Sequence, residues 1–269
     1  MPEGDTIFRA AGNLRKVLEG QQIQAASGRP EVGDVDALVG RIVTAVEVCG
    51  KHLLLHFSGQ RVLHSHMGMT GSWHIYRPDD VWHLSQSAAG IQLQTSRFIV
   101  VCFAPKILQL VSQQTLSRNS QLQRLGPDIL GPKIADDVFL SRMRTQNVCP
   151  VGEAILNQTV VCGIGNVYKS EVLFLECVHP GTRVADLADD CLLQLLNQAT
   201  FLMKRNLDNA VRRTRFRTDA QSLWVYGRQG EACLKCGTPI QMMRQGAQAR
   251  STYFCPTCQP CITVRATGL

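Results

Sequence analysis

Cys233-Leu234-Lys235-Cys236 and Cys255-Pro256-Thr257-Cys258 form two Cys-x-x-Cys pairs near the carboxyl end of the chain, and eighteen residues separate them. Each pair makes a tight turn that directs two thiolates at one ion, and this spacing is typical of a four-cysteine zinc ribbon. The residues between the pairs, 238–254, are enough for a two-stranded hairpin. Because four thiolates complete the tetrahedral coordination of zinc, the sequence predicts one structural Zn²⁺ ion.

Two alternatives stay open for these four cysteines, namely a pair of disulfides or a redox-active pair. A reducing compartment disfavours the disulfides. Cys261 follows three residues after Cys258 and could replace it as the fourth ligand, although the Cys-x-x-Cys spacing favours Cys258. The other six cysteines show no motif spacing and are expected to be buried free thiols: Cys49, Cys102, Cys149, Cys162, Cys177 and Cys191.

Length and composition indicate a globular protein. The 269 residues allow one large domain or two ordinary ones, and 45% of them are hydrophobic. The net charge of +7 favours a polyanionic partner, although a basic surface without such a partner is the alternative. No apolar run approaches the ~18 residues that span a bilayer. We therefore expect no membrane partner, and a location in the cytoplasm, with the nucleoid, in a prokaryote, or in the nucleus or an organelle in a eukaryote.

The amino end, Met1-Pro2-Glu3, is suited to amine catalysis. If the initiator methionine is removed, Pro2 presents a free secondary amine, and an α-amine has a pKa well below that of a lysine. Such an amine can attack a sugar carbon and form a cationic iminium, while Glu3 donates or accepts the proton. For this tripeptide alone, an ordinary helix start is the alternative.

Hydrophobic periodicity predicts a helix from Asp5 and Thr6 to about Glu19, then a β-rich half, and then a helical half. The linker between the halves is expected between Ser112 and Pro127. The β-rich runs are 41–48, 52–57, 62–67, 72–76, 90–95 and 98–103, and the helices are 136–144, 152–156, 165–176 and 187–205. The segment 206–222 carries four arginines and few apolar residues, so it is predicted to be a mobile basic loop.

Four further residues are candidates for binding. Lys51 occupies a turn before an apolar strand, where it can reach into a cleft, and Met69 lies in a glycine-bounded loop from which an apolar side chain can enter a base stack. Asn166 follows a Gly-x-Gly turn at the start of a helix, where free backbone N–H groups attract a phosphate, although an ordinary helical corner is the alternative. Arg250 lies in the predicted ribbon hairpin and suits contact with a phosphate backbone, although a solvated charge is the alternative.

Together these segments resemble the formamidopyrimidine-DNA glycosylase/endonuclease VIII family of base-excision repair enzymes. The matching segments occur in the family's order and span nearly the whole chain. They are Met1-Pro2-Glu3-Gly4, Gly50-Lys51-His52-Leu53-Leu54-Leu55, His66-Met67-Gly68-Met69-Thr70-Gly71, Leu125-Gly126-Pro127-Asp128, Gly163-Ile164-Gly165-Asn166-Val167-Tyr168, Val225-Tyr226-Gly227-Arg228 and the zinc ribbon with Arg250 and Tyr253.

The resemblance implies an α+β fold in three parts. These are an N-terminal helix with a β-sandwich over 1–115, a helix–two-turn–helix domain over 125–222, and a C-terminal zinc-ribbon finger over 223–261. It also implies that the partner is damaged DNA, from which the protein flips a base out of the duplex. We expect a monomer with one structural zinc ion.

The resemblance also implies a role for each matching residue. The Pro2 amine attacks the sugar C1′ and forms a Schiff base, and Glu3 transfers protons during ring opening. Lys51 contacts the backbone beside the lesion and assists catalysis, Met69 helps to fill the void, and Asn166 and Arg250 hold the flanking phosphates. β,δ-Elimination then cuts the strand on both sides of the sugar. The metal ligands are Cys233, Cys236, Cys255 and Cys258.

Departures from the family pattern bear on the substrate. Asp5-Thr6 stands where many members have Pro-Glu, so a second family carboxylate is absent unless Asp5 substitutes for it. The Arg-Arg-Phe wedge of the 8-oxoguanine branch is absent from 104–108, and Gly4 is typical of the endonuclease VIII branch. The expected substrates are oxidised pyrimidines. An 8-oxoguanine/formamidopyrimidine glycosylase and a non-catalytic zinc-ribbon DNA-binding protein are the alternatives.

Overall fold

The computed structural model describes residues 2–209, 211–217 and 220–261. The chain divides into two units, Met1–Leu125 and Gly126–Leu269. None of the helices in the described part of the chain has both the length and the apolar character required to cross a bilayer.

The first unit begins with helix α1, Gly4–Leu18. The sequence placed its start at Asp5-Thr6, but Glu3 is the cap, because its extended backbone directs its carbonyl oxygen at the N–H groups of Thr6 and Ile7. The apolar residues of α1 recur at helical spacing and enter the core of the unit: Ile7, Ala11, Leu14 and Leu18.

Two four-stranded antiparallel sheets pack face to face on the same core as α1. One sheet has the order β1-β6-β7-β5 and the other the order β2-β3-β4-β8. The strands are β1 Ala25–Gly28, β2 Val43–Cys49, β3 His52–Phe57, β4 Arg61–His66, β5 Ser72–Tyr76, β6 Ala89–Gln94, β7 Ile99–Phe103 and β8 Ile107–Ser112.

The predicted runs correspond to six of these strands, and β1 and β8 were missed. Strand β1 has the sequence Ala-Ala-Ser-Gly, which carries little β propensity, and it forms only because it pairs with β6. Strand β8 pairs with β4 over its whole length. Two short helices, α2 Gln113–Ser117 and α3 Ser120–Gln123, occupy the stretch that was expected to be a linker.

The second unit contains four helices and a two-stranded hairpin among its described residues. The helices are α4 Asp136–Arg144, α5 Val151–Ala154, α6 Asn166–Leu175 and α7 Asp189–Arg205, each within two residues of its predicted ends. The hairpin consists of β9 Gln241–Gln245 and β10 Arg250–Phe254, and β10 packs against α6. This hairpin lies between the two cysteine pairs, as the sequence predicted.

The segment 206–222 is held more firmly than the predicted mobile loop. Its described residues form neither helix nor strand, yet Thr214 and Arg215 are buried. The amide and carbonyl of Arg213 are bonded to the side chain of Asn206 at the end of α7. The expected burial of the scattered cysteines holds for Cys102 and Cys162 but is wrong for Cys177, which is exposed beyond the end of α6.

Candidate functional site

Pro2 and Glu3 lie at the amino end of α1 in the first unit. Pro2 is half-buried and lines a cavity of about 200 Å³, whereas Glu3 is fully buried. The positive end of the helix dipole favours a negative charge at this position. Asp5 is also buried, and its carboxylate accepts a hydrogen bond of 2.8 Å from the Thr6 amide. The first turn of α1 therefore places one buried carboxylate directly after the proline and a second two residues later.

Lys51 is half-buried in the turn between β2 and β3, where Gly50 has a positive φ of 59°. His52 follows this turn. The centroid of its ring lies 5.0 Å from that of His64 and 4.7 Å from that of His66. Burial, followed by the charges of His66, His64 and Lys51, lowers the pKa of His52 to about 3. Burial, followed by the charges of Lys106 and Lys51, lowers the pKa of His66 to about 4. Lys51 and Lys106 thus contribute positive charge to surroundings in which these histidines are neutral.

Met69 lies at the tip of a tight loop between β4 and β5, and 75% of its surface is exposed. Gly68 supplies a positive φ of 65° in this loop. A Cβ atom at Gly71 would lie 2.5 Å from the carbonyl oxygen of Met67, so the loop closes only with glycine at that position. The structure therefore holds an apolar side chain away from the core on a constrained loop.

In the second unit, Asn166 is the first residue of α6 and lies beside β10. Its Nδ2 atom donates a hydrogen bond of 2.6 Å to the carbonyl oxygen of Ser251, while its Oδ1 atom has no hydrogen-bond partner among the described residues. Arg250 precedes Ser251 and is exposed. The structure therefore brings the two predicted phosphate-binding residues onto neighbouring backbone segments.

Two buried ionisable side chains hold α6 to neighbouring segments, and the sequence reasoning missed both. Lys169 is fully buried, and its Nζ atom donates to Thr252 Oγ1 at 2.6 Å, which ties α6 to β10. Glu171 is also fully buried and accepts hydrogen bonds from the amides of three successive residues, Trp224, Val225 and Tyr226. Burial raises the pKa of Glu171, and hydrogen bonds from Thr214 and these amides oppose the rise. The charged residues Lys169 and Glu171 within the largely apolar predicted helix 165–176 were the signal available in the sequence.

The four predicted metal ligands converge in the second unit. The Sγ atoms of Cys233, Cys236, Cys255 and Cys258 all lie within 4.8 Å of one another. Two of the separations are 3.9 Å, between Cys233 and Cys258, and 3.5 Å, between Cys236 and Cys255. Tetrahedral zinc with bonds of about 2.3 Å places its sulfur ligands about 3.8 Å apart, so the donor set fits zinc. A disulfide requires about 2.05 Å, which these two pairs exceed.

Cys258, and not Cys261, belongs to this group of four. The Cys255 and Cys258 knuckle is closed by a hydrogen bond of 3.4 Å from the Cys258 amide to Cys255 Sγ. The set as a whole is coordinatively complete, so the ion it holds is structural and offers no position for a reactive water.

Three family sequence models match the chain in consecutive segments. The formamidopyrimidine-DNA glycosylase N-terminal domain matches residues 1–116 and the H2TH domain of the same glycosylase matches residues 125–218. The zinc finger found in FPG and IleRS matches residues 230–260. The matches define a class of protein that joins a glycosylase N-terminal domain, an H2TH domain and a zinc finger, and they support the assignment of one structural zinc ion.

Curated relatives cover nearly the whole chain. A probable endonuclease 8 2 of Streptomyces coelicolor is 38% identical over 263 residues, which are 96% of this chain and 94% of the relative. A DNA-(apurinic or apyrimidinic site) lyase Nei2 of Mycolicibacterium smegmatis is 36% identical over 261 residues, 96% of this chain and 99% of the relative. The chain belongs to the formamidopyrimidine-DNA glycosylase/endonuclease 8 family.

Solved structures agree on the fold. The Lactococcus lactis Fpg in a complex with DNA containing an abasic site superimposes with a TM-score of 0.82 at 22% identity, covering 97% of this chain and 100% of that one. The predicted family and the predicted α+β fold with sandwich, H2TH domain and zinc finger are therefore confirmed.

Proposed function

We propose that this protein is a bifunctional DNA glycosylase and AP lyase that excises oxidised pyrimidines. The observation that carries the proposal is that Pro2 lines a cavity and that Glu3, the next residue in the chain, is buried. The family membership supports glycosylase chemistry, and the relative named a DNA-(apurinic or apyrimidinic site) lyase supports strand cleavage. The proposal requires a processed amino end.

The Pro2 nitrogen forms a bond to C1′ of the damaged nucleotide, and the bond from C1′ to the base breaks with its electron pair on the base. The proton that the proline nitrogen loses after forming this bond neutralises the departing base. Opening of the sugar ring then gives an iminium, and Glu3 passes a proton to the ring oxygen. The iminium acidifies the neighbouring C2′ position, so β-elimination and then δ-elimination release the two phosphates.

Four residues outside the amino end bind the damaged strand in this proposal. Lys51 contacts the backbone beside the lesion. Asn166 and Arg250 hold the flanking phosphates, supported by the constrained contact between α6 and β10. Met69 enters the space that the flipped nucleotide leaves.

The preference for pyrimidines is supported by the endonuclease 8 names of the relatives and by the departures at 104–108 and Gly4. Excision of 8-oxoguanine or formamidopyrimidine is the alternative.

A location in the bacterial cytoplasm with the nucleoid agrees with the bacterial source of these relatives, and we propose a monomer. We also propose domains at 1–115, 125–222 and 223–261, and limited proteolysis at the predicted boundaries tests this division.

Borohydride trapping with a panel of duplexes, each containing one lesion or an abasic site, tests the proposal. Reduction of the imine leaves a stable protein–DNA adduct, and peptide mapping is expected to place it on Pro2. A blocked amino end abolishes the adduct, whereas Lys51→Ala retains it on abasic DNA. Preferential cutting at 8-oxoguanine would reverse the substrate choice. Damage binding without any adduct would establish the non-catalytic alternative.

A further inference from the structure

A second cavity in the first unit, of about 290 Å³, is distinct from the one beside Pro2, and the described residues that line the two differ. Its walls come from the residues that follow β1, from β6 and from the start of β8. The residues after β1 include Arg29 and Glu31, and the loop before β8 contributes Lys106. Two cations and one carboxylate therefore line this cavity.

Arg29 is held in one orientation by the backbone beside it. Its Nε atom donates a hydrogen bond of 3.0 Å to the carbonyl oxygen of Ala89, and its Nη2 atom donates one of 2.8 Å to that of Ser87. Among the described residues, no acceptor is bonded to its Nη1 atom, and the residue is exposed. A guanidinium fixed in this way offers its open edge to an anion and loses little side-chain freedom on binding.

Lys106 connects this cavity to the loop that carries Met69. The Lys106 amide donates a hydrogen bond of 2.9 Å to the carbonyl oxygen of His66. A Cβ atom at Gly68 would lie 2.8 Å from the Cβ atom of Lys106, so the stem of the lysine packs against the loop. The cavity therefore begins beside the residue that enters the base stack in the proposed function.

Strand register places Lys51 and Lys106 on opposite sides of the end of β4. His66, the last residue of β4, pairs with His52 of β3 on one side and with Ile107 of β8 on the other. Because each lysine directly precedes one of these partners, two strand spacings, about 10 Å, separate their backbones. The two backbones of a DNA duplex border grooves that are roughly 6 to 12 Å wide. Since Lys51 contacts the damaged strand in the proposed function, Lys106 lies towards the other strand.

We propose that Arg29 and Lys106 bind a backbone phosphate of the undamaged strand, opposite the lesion. The proposal rests on the proposed function, which places the damaged strand at Lys51, and it adds a contact to the second strand. Within the described part of the chain, Glu31 forms no ion pair with either cation, so both charges remain available to a phosphate. The carboxylate of Glu31 repels a phosphate at this position and limits the affinity.

Binding of one damaged strand in two forms tests this assignment. The strand contains tetrahydrofuran, a stable analogue of an abasic site, and is either annealed to its complement or left single-stranded. Arg29→Gln and Lys106→Gln each remove one cation, and Glu31→Gln removes the opposing charge. The matched control is Lys16→Ala, at an exposed position of α1 that does not line the cavity. Thermal unfolding of each variant verifies that the fold is retained.

Affinity for the duplex is expected to fall about 10-fold in Arg29→Gln and in Lys106→Gln, the effect of losing one charge-assisted hydrogen bond. The slope of log binding constant against log salt concentration is expected to decrease by about one in each. Affinity for the single strand is expected to stay at the wild-type level, because the phosphate in question belongs to the complement. Glu31→Gln is expected to bind the duplex more tightly, and Lys16→Ala to bind both forms as the wild type does.

Equal losses of affinity for the two forms overturn the proposal, because they would assign Arg29 and Lys106 to the damaged strand. Unchanged duplex affinity in both cation variants overturns it as well, and so does weaker duplex binding by Glu31→Gln. A wild-type protein that forms no borohydride adduct with abasic DNA contradicts the proposed function instead, whatever the variants bind.

Discussion

His52, His64 and His66 illustrate at the residue scale how surroundings change a side chain. The Nδ1 atom of His52 and the Nε2 atom of His64 are 2.8 Å apart, so one ring donates to the other and both can be neutral. His66 accepts a hydrogen bond of 3.1 Å from the Gly68 amide through Nδ1, which leaves Nε2 as its protonated nitrogen when neutral. Protonation would place new positive charge beside Lys51 and Lys106.

Acidification is therefore expected to destabilise the first unit. The folded-state pKa values are lowered to about 3 for His52 and about 4 for His66, below the ordinary value of 6.5. The stabilisation is complete above pH 6.5 and is lost as the pH falls towards the folded values, because the unfolded chain binds protons first. Denaturant unfolding of a Trp224→Phe variant, in which fluorescence reports Trp73 and Trp82 of the first unit, measures this loss.

The control for this experiment is His52→Asn in the same background. It removes one of the titrating groups, so its stability is expected to fall less steeply between pH 6.5 and about 4. Parallel pH profiles for the two proteins would show that the histidine cluster does not govern acid stability.

At the scale of elements, the zinc ribbon shows how little local structure can be built without a metal. Its strands β9 and β10 have five residues each, and the buried core around them consists of Phe174, Val225, Cys233, Ile240 and Cys255. Two of these five residues are metal ligands and one belongs to α6. Metal binding and the folding of this element are therefore coupled.

Removal of the metal separates the roles of Cys258 and Cys261. Cys258→Ser is expected to lose the bound zinc and to weaken DNA binding, because the hairpin that carries Arg250 then loses its support. Cys261→Ser is the matched control, three residues away, and is expected to keep one zinc per chain. Elemental analysis and DNA titration measure the two effects. Retention of zinc by Cys258→Ser together with its loss from Cys261→Ser would reverse the ligand assignment.

At the scale of the whole molecule, the residues assigned to the damaged strand are divided between the two units. Pro2, Lys51 and Met69 belong to the first, and Asn166 and Arg250 belong to the second. The net charge of +7 supplies a general attraction for a polyanion, and in the proposed function Lys51, Asn166 and Arg250 contact its backbone.

DNA affinity is expected to fall steeply with salt. Neutralisation of ~4–6 phosphates gives a slope of about −4 to −5 in a plot of log binding constant against log salt concentration. Arg250→Ala is expected to reduce the slope by about one, whereas Lys16→Ala leaves it nearly unchanged. Fluorescence anisotropy with an abasic duplex measures these slopes. A slope near zero would contradict binding through the phosphate backbone.

The features that could be predicted from the sequence are those with a local signal. The spacing of the ribbon cysteines, the periodicity of α1 and α7, and each family segment involve residues close together along the chain. Each could therefore be recognised without knowledge of its neighbours in space. The reactivity proposed for Pro2 also needs no tertiary contact, because removal of the initiator methionine exposes a secondary amine whether or not the chain is folded.

Features that depend on partners far apart in the chain could be recognised only in the folded protein. Strand β1 exists because it pairs with β6, and Lys169 is tied to Thr252, 83 residues away. The cavity beside Pro2 forms only where α1 and β5 come together, so no single stretch of sequence could predict it. Strand pairing, buried charge and cavity shape are properties of surfaces in contact, and the contact is formed only when the chain has folded.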